Sequence, residues 1–331
     1  MKVNSGEQTV GEIGELALLD VILAELKTPD CATVANGDDA AVLRHSGDTV
    51  ITTDTMIEGP DFRLDWHTGF ELGQKLAATN LADVAAMGAT PTVLTVAIAC
   101  PPETRVDFLR QIARGLTHAC DRLAPGTAVV GGDLATAKQL VCAVTALGEM
   151  CGRKPVTRSG ARPGMVIAYA GLLGLSGYGL QLLAEHGRQE AERLCPRALY
   201  EHLTPSAAVS AGVTAAEAGA GAMLDVSDGL VLDAARITRA SGVRVSLSSE
   251  QLQRVNAGRV DPPGPPLNSM LYGGEDHGML ACFQAASVPP EFTVIGQIIA
   301  GRPAVLLDGE ELSGSGWDPF QNSGNLSSQA P

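Results

Sequence analysis

The apolar residues of this 331-residue chain change their spacing again and again, and that alternation limits the fold more than any other feature. Over 11–26, Ile13, Leu16, Leu19, Leu23 and Leu26 recur at helical intervals. Short strands are expected at 41–44 and 49–54. A helix follows over 69–87, with Leu72, Leu76, Ala77 and Leu81 on one side and Gly88 stopping it. Then come a strand at 93–99, a helix at 103–122 and apolar runs at 127–131 and 139–148. The basic, Gly- and Pro-rich stretch 151–164 interrupts the pattern, so residues 1–150 and 151–320 are expected to form two domains. The second half restarts with a strand at 165–170, a Gly-rich turn over 171–179 and a helix at 179–186. Helices near 206–218 and 229–241, a loop at 262–266 and strands near 278–283, 292–299 and 304–308 complete it. Residues 321–331 read as a flexible tail. The expected fold class is α/β (α+β) in two domains.

Composition narrows the function. The chain is 45% hydrophobic and 18% charged, enough to bury a core and too apolar for wholesale disorder. Thirty-seven acidic residues against 23 Lys and Arg give a net charge of −14, which speaks against a nucleic-acid partner. No apolar run approaches the roughly 18 residues of a membrane span. No apolar signal core opens the chain, so a cytoplasmic location is expected. Seven cysteines without a Cys-x-x-Cys pair fit free thiols better than a disulfide framework or zinc.

The chemistry sits in acids placed among glycines or at expected strand ends. They are Asp38 and Asp39 in GDDAA, Asp54 in TTDT, Asp133 in GGD, Asp225 and Asp228 in DVSDG, and Glu275 and Asp276 in GGED. Asp83 joins them from the helix over 69–87. Singly, such residues are ordinary turn formers, and Asp228 could cap the following helix. Together, at the carboxyl ends of strands, they would repel one another unless cations neutralised them. Mg²⁺ suits such oxygen donors and is usually completed by substrate phosphates. Thr52 and Thr53 could add oxygens. The six histidines are scattered and expected mostly at the surface. No GxxxxGK[ST] loop is present; the turn over 171–179 could cradle a phosphate or simply pack helix on strand. This chemistry favours a polyphosphate ligand and phosphoryl transfer, which asks the protein mainly for positioning and charge neutralisation.

The ordered motifs GDDAAVL, TTDTMIEG, KLAATNLADVAAMGATPT, GGDLA, VTRSGARPG, DVSDGL, GGEDH and GWDPF run nearly end to end. In that combination the chain resembles the thiamine-monophosphate kinase family of the aminoimidazole ribonucleotide synthetase-like superfamily. The resemblance implies a homodimer whose N-terminal sheets pair across the interface, a C-terminal α/β domain, and ATP with several Mg²⁺ in the interdomain cleft. It implies metal ligation by Asp39, Thr52, Thr53, Asp54, Asp83, Asp133, Asp225 and Asp228. It implies ATP contacts from Gly132, Asp133, Arg158 and Ser227, and acceptor contacts from Glu275, Trp317 and Phe320. Those two aromatics could form a platform for a flat heterocycle or a plug for the chain terminus. The implied reaction converts ATP and thiamine phosphate to ADP and thiamine diphosphate by direct transfer.

Two positions depart from the family pattern. Asp61 stands where a substrate-contacting histidine is usual, and Pro319 replaces another residue, often histidine. The resemblance implies that both departures face the acceptor rather than the nucleotide. A relative acting on another phosphorylated acceptor, or a catalytically silent nucleotide-binding homologue, are the alternative readings.

Overall fold

The computed structural model describes residues 7–37, 39–261 and 264–312. The first unit holds α1 (Val10–Leu23), β1 (Ala32–Val34), β2 (Val42–Leu43), β3 (Thr49–Ile57), α2 (Gly69–Ala86), β4 (Thr90–Cys100), α3 (Val106–Leu123), β5 (Ala128–Thr136) and β6 (Val141–Glu149). The second unit continues with β7 (Val166–Ala170), α4 (Leu175–Leu194), α5 (Pro196–Leu203), α6 (Val209–Glu217), β8 (Ala222–Asp225) and α7 (Leu230–Ser241). It finishes with β9 (Arg244–Leu247), α8 (Ser249–Arg254), α9 (Leu267–Tyr272), β10 (Met279–Phe283), β11 (Thr293–Ile299), β12 (Ala304–Leu307) and β13 (Glu310–Glu311). The mixed α/β class expected from the alternation is the class observed.

The first unit's sheet runs β3-β6-β4-β5, antiparallel except for the parallel β4–β5 pair. Helices α2 and α3 cover one face. On the other face Thr49, Ile51, Thr53 and Thr55 of β3 alternate outward, and Ile51 is 68% exposed. The second unit's sheet is β13-β12-β9-β11-β7-β10-β8, with only β12–β9 parallel.

Helix α2 is the shared element. It touches α3 and β3 of its own unit and α6 and β8 of the other. One continuous core runs from Leu72, Leu76 and Leu81 to Met223, Met279 and Phe283. A helix packed on so many sides cannot be amphipathic in the usual way, which is why Lys75 and Asn80 lie wholly buried on it. Thr68 caps its start and forms a reciprocal capping box with Glu71. Glycines bring its neighbours close. A Cβ on Gly73 would fall 2.2 Å from the Ile112 carbonyl of α3, and one on Gly212 of α6 would fall 2.1 Å from the Ala85 carbonyl of α2.

Several elements differ from the sequence expectation. β3 extends to Ile57 and β5 to Thr136, so Asp54 and Asp133 lie within strands rather than at their ends. Ladder pairing explains this: Asp54 opposes Val144, and Asp133 opposes Ala97. Helix α4 begins inside the Gly-rich turn, at Leu175, and runs to Leu194 with a non-helical Gly187. The short elements β1, α5, β9, α8 and α9 carry too few periodic residues to stand out in the sequence. No helix among the described residues is long and apolar enough to cross a membrane.

The close approach of α2 to α3 gives a test. Gly73→Ala should destabilise the protein by about 1–3 kcal/mol through overpacking against backbone, read as a lower urea midpoint with an unchanged slope.

Candidate active site

The carboxylates gather where α2 passes beneath β3 and meets β8. Asp83 on α2 accepts a hydrogen bond from Thr52 Oγ1 at 3.0 Å and is hydrogen-bonded to Asp54. From the second unit, Asp225 ends β8 and Asp228 lies in the turn that follows; both bear electrostatically on Asp54. Burial pushes the Asp54 carboxyl up, and Asp225 and Asp228 add to this, while Asp83 and His277 oppose. Asp83 is pushed up to about 7 by burial, then by Asp225 and Asp54. Unneutralised, the group is crowded with negative charge.

The cluster has cationic supports. His277 is buried, with Nδ1 3.1 Å from Asp225 Oδ2 and Nε2 3.1 Å from Thr79 Oγ1. Burial pulls its pKa down, but Asp225, Glu275 and Asp83 outweigh that and hold it above the ordinary imidazole value. Arg236 pairs with both Asp228 and Asp233. Asp233 Oδ2 accepts the Ser227 and Asp228 amides at 3.1 and 3.0 Å, so this buried residue shapes the DVSDG turn. Asp228 makes no side-chain cap on α7.

Residues 273–277 form the second part of the site. Glu275 and His277 both have left-handed backbones, φ 62° and 50°. Glu275 meets the fully buried Lys75 at 2.9 Å, and His202 Nδ1 lies 3.2 Å from Glu275 Oε2. Asp61 Oδ2 accepts the Ile57 amide at 2.8 Å. Burial raises the pKa of Asp61 and Glu275 raises it further, against the pull of the Ile57 amide and Lys75. Asp276 points elsewhere. Its oxygens accept the Gly174 amide at 2.5 Å and the Ser176 amide at 3.0 Å. The Gly-rich turn therefore holds an internal carboxylate at the start of α4, where the sequence left room for a phosphate.

A separate cavity of about 380 Å³ opens beside β5. Ile22, Leu26, Ile98, Leu109 and Ile112 give it apolar walls, and Asp39, Gly132 and Asp133 also line it. Gly132 packs so closely that a Cβ would fall 2.0 Å from the Val96 carbonyl. The register runs Asp54–Val144–Val96–Gly132 across the sheet. β3 and β5 are thus three strand spacings apart, about 14 Å. Asp54, Asp83, Asp225 and Asp228 come together, whereas Asp39 and Asp133 form a second group at the cavity.

Arg158 is exposed on the connecting segment; its carbonyl accepts from Ser241 Oγ at 2.8 Å. None of the side-chain hydrogen bonds of the described residues links it to the carboxylates. Thr53 donates to the Val144 carbonyl at 3.0 Å and is exposed. Asp38, Trp317 and Phe320 lie outside the described residues. Three histidines correct the sequence reading: His67, His202 and His277 are buried, and His67 and His202 are neighbours with ring centroids 6.1 Å apart. Lys75, Asp233 and Arg236 were missed as well. The one signal for Lys75 was a cation in the middle of an apolar helix.

The donors suit a hard cation. Asp54 and Asp83 offer paired carboxylate oxygens beside the Thr52 hydroxyl, the set an ion uses when water and phosphate complete its shell. Among the described residues no three His, Cys, Asp or Glu side chains enclose an ion alone.

Residues 37–150, which include the four-stranded sheet of the first unit, match the family described as AIR synthase related protein, N-terminal domain. The chain is 38% identical to the thiamine-monophosphate kinase of Mycobacterium tuberculosis over 327 residues, 96% of each protein. It is 36% identical to that of Corynebacterium glutamicum over 324 residues, 94% of this chain and 95% of the relative. The solved thiamine-monophosphate kinase of Stenotrophomonas maltophilia superposes with a TM-score of 0.74 at 29% identity, covering 90% of this chain and 98% of that one. The chain belongs to the thiamine-monophosphate kinase family.

The internal carboxylate predicts a stability effect. Asp276→Ala should cost about 1–3 kcal/mol, because two buried amides lose their acceptor, and chemical denaturation will read it.

Proposed function

We propose that the chain phosphorylates thiamine phosphate to thiamine diphosphate with ATP as donor. The observation that carries this reading is the convergence of Asp54, Asp83, Asp225 and Asp228 from both units beside the Lys75–Glu275 pair. A structural relative described as AaThiL complexed with AMPPCP and TMP supports it, with a TM-score of 0.69, 26% identity and 95% of this chain covered.

The cavity beside β5 has the apolar walls and dimensions of a pocket for a flat base, and Gly132 lets β5 pack tightly on the Val96 backbone at its edge. Asp39 and Asp133 at that cavity, and Thr52, Asp54, Asp83, Asp225 and Asp228 in the main cluster, would hold Mg²⁺; the Thr53 side chain faces the other side of the sheet, so Thr53 would join only through its backbone carbonyl. Bound there, the ions neutralise phosphate charge and align donor with acceptor. The acceptor is a phosphate monoester with a second pKa of about 6, already largely dianionic at neutral pH, so no side chain needs to act as its base. The protein's own work is to hold the two anions in line. Asp228 is fixed by Arg236, Asp225 by His277, and the Ser227 turn by Asp233. Arg158 and Ser227 would contact the nucleotide, and Glu275 with the segment carrying Trp317 and Phe320 the acceptor. Transfer is direct.

The first sheet leaves one face open, with Ile51 of β3 in solvent. That face suits pairing with a second copy as a homodimer. We assign residues 1–150 to metal and nucleotide binding and to dimerisation, 151–320 to the second domain, and the enzyme to the cytoplasm.

Asp54→Asn and Asp133→Asn should each lower ADP formation by at least about 100-fold with the fold retained. Chelating divalent cations should abolish turnover in the unaltered enzyme, and product mass will show whether thiamine diphosphate forms. Near-normal rates in either variant would remove the metal assignment. Sedimentation should give a dimer, and Ile51→Lys should shift it to monomer.

A further inference from the structure

The surroundings of Glu275 carry an unbalanced charge. Asp61 and Glu275 contribute two carboxylates and the buried Lys75 one ammonium. Glu71 nearby is already matched by Arg188, at 2.7 and 2.6 Å. Asp61 uses Oδ2 for the Ile57 amide, and among the described residues no hydrogen bond engages Oδ1. The residue is only partly buried, so that oxygen can meet a ligand.

A second observation comes from the two neighbouring histidines, 3% and 1% exposed. His67 Nδ1 lies 3.2 Å from the Arg63 carbonyl, and His202 Nδ1 lies 3.2 Å from Glu275. The Arg63 carbonyl only accepts, so His67 Nδ1 carries the proton, whereas His202 Nδ1 also meets the Ser176 hydroxyl at 3.3 Å, which can donate or accept. Burial and then the Lys75 charge push both rings well below the ordinary pKa, which keeps them neutral. His67 Nε2 is therefore a lone-pair acceptor, and the Nε2 atoms of both rings are buried without a partner. The cations here are already matched, Lys75 by Glu275 and Arg188 by Glu71, so the Asp61 carboxylate remains as surplus negative charge.

We propose that Asp61 is a specificity-determining residue that, with Glu275, selects a positively charged heteroaromatic ring on the acceptor. The inference deepens the function proposed above and rests on it for the identity of that ring, the thiazolium of thiamine phosphate. It also gives Asp61 a role. The carboxylate faces the cationic part of the acceptor and leaves the phosphate to the metal cluster.

The test compares two acceptors that differ in charge: phosphorylated hydroxyethyl-methylthiazole, and the same compound N-methylated to a permanent thiazolium. The unaltered enzyme should favour the cation in kcat/KM by at least about tenfold. Asp61→Asn keeps the acceptor for the Ile57 amide and removes the charge. It should bring the preference to within about threefold, through a higher KM for the cation, with the KM for ATP unchanged. Glu275→Gln should reduce the preference in the same direction. An equal loss for both acceptors, or a preference that survives Asp61→Asn, overturns the proposal. Calorimetric binding of the same two compounds reads charge selection without turnover. If thiamine phosphate yields no thiamine diphosphate while the cation still binds more tightly, the proposed function fails and the selection stands.

Discussion

The structure turns on the contact between Lys75 and Glu275. Lys75 stands in a helix packed on all sides, and an ammonium there must be matched by a carboxylate because stripping its water costs several kcal/mol. The match comes from the other unit. Seating the second unit against α2 thus satisfies the charge, and the same seating carries Asp225 and Asp228 to Asp54 and Asp83. Such a pair adds little net stability over apolar packing. Its effect here is positional: it fixes where two sheets built from distant parts of the chain meet.

Around that contact the site separates two electrostatic tasks. Near Asp83 the carboxylates crowd one another under desolvation, a state that divalent ions relieve, while Arg236 and His277 hold individual members in place. Near Asp61 one fixed cation is already present, and the surplus of negative charge is small. Under the proposed function, the anionic end of the acceptor would meet the ions held by the carboxylate cluster and its cationic ring the surplus charge near Asp61. The neutral state of His67 and His202 belongs to the same arrangement, since a proton on either would oppose Lys75.

Much of this was legible in the sequence, and the failures share a cause. The acidic motifs are short and local, so Asp54, Asp83, Asp225 and Asp228 could be named from their neighbours in the chain. The long periodic segments behind α2, α3, α7 and β4 were also plain. Strand limits at β3 and β5 were not, because Thr-Thr-Asp and Gly-Gly-Asp look like turns until ladder partners pull them into a sheet. Nor could the sequence separate Asp39 and Asp133 from the other acids, since that follows from strand order. The buried roles of Lys75, His202 and Asp233 depend on partners 200, 73 and 5 residues away in the chain, at Glu275, Glu275 and Asp228. Only the first two of those partners are beyond local reach. Asp233 was overlooked because a carboxylate in the first turn of a helix looks like routine charge placement.

Asp276 sits between two residues with left-handed backbones, each a conformation that costs a non-glycine residue of order 1–3 kcal/mol. That winding sends three consecutive side chains in three directions: Glu275 to Lys75, Asp276 to the start of α4, and His277 to Asp225. The short stretch therefore works as a junction whose three arms cannot be adjusted separately. A substitution that re-aims one arm would tug the other two, so altering the acceptor end of such a protein is easier through Asp61, on its own loop, than through the junction itself.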